Sequence, residues 1–353
     1  MKIQWQIAPA LLLSCVLPAQ AQSNVKISGY LDVAIESVQT GNGILNRMST
    51  GQLNQSRLNF TGAEDLGGGN HALFELQAAF SPDTGVGSSN GLFSRTAYVG
   101  LSNDRAGTIK VGRLQTLSDE VIGSLWALRW GASTNYFLYY GNTTQLVSNA
   151  LRYESPRWSG LSFALGYSMP EGGTLGSVRE VQVKYQDQKL LLNSAYYRSS
   201  GHDFIEAGSS VGIATVGASY NLGFIIPSIT VQDVRTQDAV INKASKYDVA
   251  LSAIIPMGAH SLWVDAGRLK NRAVKDADAK AFSIRFDYYL SKRTFLYAGA
   301  AQIWNGDNAY YQPMGASGSY PTVTTPAAVQ TGNVPGYNGK NTHSFIGGIR
   351  LGF

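Results

Sequence analysis

Val25-Lys26-Ile27-Ser28-Gly29-Tyr30-Leu31-Asp32-Val33-Ala34-Ile35-Glu36 changes chemistry at every step. Its odd positions are apolar or glycine, and its even positions carry Lys26, Tyr30, Asp32 and Glu36. Successive strand side chains point to opposite sides, so two faces of opposite chemistry at period two mean a strand, not a helix. The far end of the chain repeats the pattern. Phe345, Gly347, Ile349, Leu351 and Phe353 share one face, while Ser344, Gly348 and Arg350 lie on the other. A soluble β-sandwich alternates too. Full charges recurring on the polar face, with aromatics clustered near strand ends, favour a wall between lipid and water.

Outside these strands the composition narrows the setting. Residues 1–21 read as a secretory signal: Lys2, an apolar core over 7–17, and Ala19-Gln20-Ala21 as cleavage site before Gln22. That core is too short for a spanning helix of about 20 residues. The single cysteine, Cys15, lies in this leader, so the region 22–353 is expected to hold no disulfide. An alternative takes Leu12-Leu13-Ser14-Cys15 as a lipoprotein site; the A-x-A site fits without it. The net charge of +5 falls by one when Lys2 is removed. Charged residues are only 14%, with 39 glycines and 19 tyrosines, against about a quarter charged in soluble domains. No later apolar run is long enough for a helical span. An exported chain of this kind fits the outer membrane of a Gram-negative cell, where only closed barrels satisfy backbone groups without helices.

Between the two ends, fourteen further strands are predicted over 55–63, 71–80, 92–103, 107–113, 150–154, 161–169, 180–186, 190–198, 211–221, 224–234, 246–255, 261–269, 281–290 and 294–303. Short turns fall near 65, 104, 157, 187, 222, 257 and 292, and longer polar loops near 45, 85, 130, 174, 204, 238, 275 and 325. Short turns on one rim and long loops on the other are the organisation of outer-membrane barrels. The expectation is one all-β domain, a 16-stranded antiparallel transmembrane β-barrel.

One tract breaks the rhythm. Residues 114–149 show no clean alternation, and structureless connections beyond about 12–15 residues are usually functional or disordered. Trp126, Trp130, Tyr136, Phe137, Tyr139 and Tyr140 need something to pack against. The tract is therefore expected to fold into the lumen and narrow the pore.

Four blocks carry a family resemblance. They are Ser56-Arg57-Leu58-Asn59-Phe60-Thr61-Gly62-Ala63-Glu64-Asp65-Leu66-Gly67-Gly68-Gly69, then Leu92-Phe93-Ser94-Arg95-Thr96-Ala97-Tyr98-Val99-Gly100-Leu101 running on to Gly107-Thr108-Ile109-Lys110-Val111-Gly112-Arg113. Leu151-Arg152-Tyr153-Glu154-Ser155-Pro156 and Tyr288-Tyr289-Leu290-Ser291-Lys292-Arg293-Thr294-Phe295-Leu296-Tyr297 come next in order. Together they resemble the general porins of β-proteobacteria, over the whole region after the leader. The resemblance implies a trimer, an inward-folded third loop, and a C-terminal strand ending in Phe353 that the insertion machinery reads. It also implies that Arg57, Arg95 and Arg152 belong to a basic cluster facing the third loop.

Parity agrees in part. Leu58 and Phe60 outside put Arg57 inside, and Leu151 and Tyr153 outside put Arg152 inside. Arg113 shares parity with Ile109 and Val111, which suits a place near the mouth or a rim partner. Asp119 and Glu120 are the only carboxylates of the inward tract. Opposed to an arginine wall they would set a transverse field; equally, they suit a solvated corner. The tract's aromatics fit a wall anchor better than a stacking track, and their abundance departs from the family pattern.

Catalytic signals are poor. His71, His202, His260 and His343 are scattered, without metal-ligand spacing. Glu64-Asp65 with three glycines lacks the lysine of a phosphate loop and reads as a tight turn. The sequence thus supports a passive, anion-preferring diffusion porin with no enzyme activity, cofactor or nucleic-acid partner, set in outer-membrane lipid and passing small hydrophilic solutes. A substrate-specific porin is the nearest alternative, ahead of a barrel enzyme or an adhesin.

Overall fold

The computed structural model describes residues 24–53, 55–125, 145–170, 176–200, 210–237, 245–313 and 336–353. The leader 1–21 and the aromatics from Trp126 to Tyr140 lie outside them, as does His202.

In chain order the elements are β1 (Asn24–Gln39), β2 (Ile44–Thr50), β3 (Arg57–Gly67), β4 (Asn70–Ala79), β5 (Ala97–Asn103), β6 (Gly107–Gln115), α1 (Leu117–Leu125), β7 (Leu146–Glu154) and β8 (Leu161–Ser168). After these come β9 (Ser177–Gln186), β10 (Leu190–Ser200), β11 (Ser210–Tyr220), β12 (Ile226–Gln237), β13 (Lys246–Met257), β14 (His260–Asn271), β15 (Ala279–Tyr289), β16 (Thr294–Asn305) and β17 (Thr342–Gly352). Sequential segments pair antiparallel, and β17 returns to β1 over Tyr30↔Gly352 to Gln39↔His343. The ring is closed, so no strand edge is left unpaired in lipid.

Seventeen segments make sixteen staves. The first half of β1 pairs with β3 from Asn24↔Ala63 to Tyr30↔Arg57, and its second half with β2 from Val33↔Thr50 to Gln39↔Ile44. Thus β2 and β3 are two parts of one stave. The long loop expected near 45 is corrected here. Thr40 to Gly43 is a tight turn, with Thr40 N donating to Gly43 O at 3.0 Å, and the chain runs straight on as a strand. Arg47 drives this, because it faces Glu36 directly across the pair and bonds it at 2.8 Å. The predicted strand over 92–103 begins only at Ala97, although Gln77 N still donates to Thr96 O at 2.8 Å.

The two faces have the expected chemistry. Ile27, Ile35, Val99 and Leu101 are more than half exposed on the outside, whereas Asp32, Glu36, Asp265 and Asp287 are buried inside. A soluble protein would invert this order; a lipid-facing band with a polar interior accounts for it. Aromatics gather at the short-turn rim. There Tyr153 and Trp158 flank Phe163, and His260 stacks on Phe286 and Tyr288 with centroids 5.6 and 4.7 Å apart.

Candidate functional site

The described start of the tract 114–149 lies inside the barrel. Thr116 begins a helix: its hydroxyl accepts Asp119 N at 3.3 Å, and Leu117 N donates to Glu180 Oε1 of β9 at 2.9 Å. Acidic Asp119 and Glu120 in the first turn suit the positive helix end. Leu117, Val121 and Leu125 pack on Ala164 and Ala195, inward residues of β8 and β10. Ile122 joins a second cluster with Ala250, Leu269 and Tyr311. Ser118 and Thr215 hydroxyls meet at 3.2 Å, and Asn193 donates to Ser124 at 3.0 Å. Small alanines on the wall let the helix lie close against it.

Arg152 is the root of this arrangement. It is 3% exposed, bonds Glu120 Oε1 at 2.6 Å, and lies 3.7 Å from Glu154 and 3.9 Å from Glu180. Its second terminal nitrogen donates to the Gln115 carbonyl, where the chain leaves the wall. Lys110 adds a 2.8 Å pair to Glu154. Three carboxylates therefore surround two cations. Asp119 is buried and accepts from Gln115 Nε2.

Arg57 and Arg95 form a different group. Arg57 stands opposite Tyr30 in the register, with its guanidinium 5.0 Å from that ring's centroid. Arg350 of β17 covers the same ring at 4.3 Å. Arg95 donates to Gln55 Oε1 at 2.5 Å and to Gln77 Oε1 at 3.3 Å. The charged neighbours of Arg57 are Arg95, Arg350 and Glu75. Nε and NH1 of Arg57 and Nε of Arg350 have no hydrogen-bond partner among the described residues. Two guanidiniums thus share the Tyr30 ring with Arg95 near Arg57, while Glu75 lies by Arg57, Asp32 faces Arg350 across the β1–β17 pair and Asp287 lies near Arg350.

Arg113 reaches toward this group. The ladder between β6 and β7 slips between Gly112 and Leu114, where Gly112 has φ of 142° and Asn149 of 54°. A bulge of this kind re-aims a side chain. Arg113 bonds the carbonyl of Ser94 at 3.0 Å and the hydroxyl of Ser148 at 2.7 Å. The extra residue lies in β7 between Val147 and Ala150, and along β6 Leu114 keeps the inward parity of Lys110 and Gly112.

A second inward segment separates β2 from β3. Gly51 has φ of 67°, which turns the chain off the wall. Asp32 then gathers the next few residues. It accepts Leu53 N at 2.6 Å and the Tyr297 hydroxyl at 2.6 Å, and its own N–H donates to Ser56 Oγ at 3.0 Å. Leu53 packs on Ala34, Phe295, Tyr297 and Ile346 inside the barrel. This segment delivers Gln55 to Arg95.

The family model described as Gram-negative porin matches residues 8–308. The chain belongs to the Gram-negative porin family. An outer membrane porin protein of Bordetella pertussis is 26% identical over 359 residues, covering 83% of this porin and 92% of its relative. Among solved structures, an anion-selective porin from Comamonas acidovorans superposes with a TM-score of 0.78 at 22% identity, over 94% of this chain and all of that one. The trimer form of Vibrio cholerae OmpT superposes with a TM-score of 0.71 at 14% identity, over 94% and 99%. This porin is therefore an outer-membrane protein whose barrel forms a channel.

Within the porin, the structure joins Arg57 to Arg95 and separates both from Arg152. Sequence reasoning set Arg350 on the inward face without assigning it to the constriction, and it passed over the segment 51–56. Parity located Arg350, but only closure of β1 on β17 brings it to Tyr30. Among the described residues no group of His, Cys, Asp and Glu could hold a metal ion.

Proposed function

We propose that this porin prefers anions, and that Arg57, Arg95 and Arg350 carry the preference. The supporting observation is the pair of guanidiniums on the Tyr30 ring, 5.0 and 4.3 Å away, with Arg95 beside them. Arginine stays charged when crowded, so the group cannot relax by losing protons. Low-dielectric walls strengthen a field that would be only about 1 kcal/mol per close pair in water. The fold it shares with the anion-selective Comamonas porin is in keeping with this reading. Arg152 has another role in the proposal. Held by Glu120, it clamps the inward helix to the wall and contributes little net field.

Reversal potentials across a salt gradient test the assignment. Wild type should favour anions, more strongly at 0.1 M than at 1 M salt, since the screening length falls from about 10 to about 3 Å. The triple variant Arg57→Ser, Arg95→Ser, Arg350→Ser should lose most of the preference. Cation preference in wild type, or an unchanged ratio in the triple variant, would refute it. A trimeric assembly belongs to the same proposal. It is in keeping with the barrel's superposition on the trimer form of Vibrio cholerae OmpT.

A further inference from the structure

Above its apolar band the outer face of the barrel is not uniform. Arg179, Arg198 and Arg235 stand exposed at one level on β9, β10 and β12. Arg198 lies opposite Arg179 on one side and opposite Gly212 on the other, and Gly212 faces Arg235. A second row runs through Lys270, Arg268 and Lys280 on β14 and β15, with Arg268 directly opposite Lys280. All six are exposed, while Tyr197, Val234 and Leu269 beside them are buried. Period two therefore sends the cations outward.

Their depth is equally specific. On β15 the outward residues run Tyr288, Phe286, Ile284, Phe282 and then Lys280. From Tyr288 to Lys280 is about 26 Å of strand, or roughly 19 Å of depth at the usual tilt. The cations thus stand at the long-loop edge of the apolar band. Few carboxylates answer them: Asp233 bonds Arg235 and Arg272 at 2.9 and 2.8 Å, and Asp278 lies 3.9 Å from Arg268. Arg179, Arg198, Lys270 and Lys280 have no ion-pair partner among the described residues. The sector from β16 through β1 to β2 is different. At the same end it presents Trp304, Phe345, Ile35 and Met48 outward, without a cation.

We propose that this belt docks phosphate-bearing lipid headgroups of the leaflet at the long-loop rim. A lipid is the anion that presents phosphate at the edge of an apolar band while its chains cover the band itself. Guanidinium pairs phosphate in a two-pronged, charge-assisted geometry, which suits a row rich in arginine. Confinement of the belt to β9–β15 makes that sector the lipid-bound flank. The neutral sector through β1 is left for other contacts.

The test uses the full chain folded in zwitterionic detergent, with bisphosphorylated lipid A as probe and its dephosphorylated form as control. Bound lipid is counted by native mass spectrometry, and heat resistance of the barrel is followed in parallel. Wild type should bind the phosphorylated form and gain heat resistance, whereas the dephosphorylated form should do neither. The variant Arg198→Gln, Arg235→Gln, Lys270→Gln should bind on the order of 100-fold more weakly, about 5-fold per cation removed. A second variant, Lys189→Gln, Lys292→Gln, Arg293→Gln, makes the same charge change on the short-turn rim and should bind as wild type does. Circular dichroism without lipid verifies that both variants are folded. Inorganic phosphate at equal concentration should produce no stabilisation. Equal binding of dephosphorylated lipid, undiminished binding by the belt variant, loss in the short-turn variant, or the same effect from inorganic phosphate would each overturn the proposal. Conductance of the belt variant is expected to match wild type, which separates this inference from the anion preference.

Discussion

Arg152 and Arg57 both point inward, yet their surroundings give them different work. Arg152 is buried among Glu120, Glu154 and Glu180, so its charge is cancelled where it stands. Arg152→Gln would leave those carboxylates crowded without their cation. The expected cost is on the order of 3 kcal/mol, as for breaking other buried pairs. It should appear as lower heat resistance and as unit conductance that fluctuates while the helix loosens from the wall. The ion preference should barely change. An Arg152→Gln variant with steady conductance and a changed reversal potential would assign Arg152 to the selectivity group instead. Sequence parity could turn Arg152 inward, but apart from Glu154 on its own strand its partners come from β6, α1 and β9, which no local pattern connects.

Among the elements, the broken stave of β2 and β3 does most to shape the lumen beside the arginines. Asp32 holds the inward residues 51–53 through Leu53 N and is itself bonded by Tyr297. Asp32→Ala would orphan a buried hydroxyl and a buried N–H, at about 1–3 kcal/mol each. Unit conductance should rise as the segment leaves the lumen, and single-channel recording reads this directly. Unchanged conductance in a folded Asp32→Ala barrel would count against a narrowing role for the segment. The stave was only half legible in sequence. Its alternation over 57–63 is clear, whereas 44–50 is too short and mixed to declare itself. Its strand state rests on cross-strand partners in β1, above all Glu36 against Arg47.

For the barrel as a unit, closure and assembly are the testable properties. The porin should run as a heat-modifiable, β-rich trimer in detergent; monomer before heating, by cross-linking or native mass, would refute the trimer. Phe353 belongs to closure. Its backbone bonds Gly29 twice, at 3.1 and 3.2 Å. Its ring occupies the space a Gly29 side chain would need, 2.6 Å from an ideal Cβ. Deleting Phe353 should reduce the amount reaching the outer membrane and leave unit conductance unchanged in the barrels that insert. Normal yield with altered conductance would contradict an assembly role.

The strand architecture of this porin could be read from the chain alone. Two-residue periodicity is local, and it sufficed to set nearly every stave, the face each residue takes, and the short and long rims. Parity likewise turned Arg57, Arg152 and Arg350 inward. Which residues keep company was settled by the folded barrel. Tyr30, Arg57 and Arg350 are far apart in the chain and meet only because β1 pairs with β3 on one side and with β17 on the other. Parity alone could not give Arg113 its partners Ser94 and Ser148, nor surround Arg152 with Glu120, Glu154 and Glu180. Periodicity specifies direction within one strand, whereas electrostatic function depends on distances between strands, and those exist only once the barrel closes.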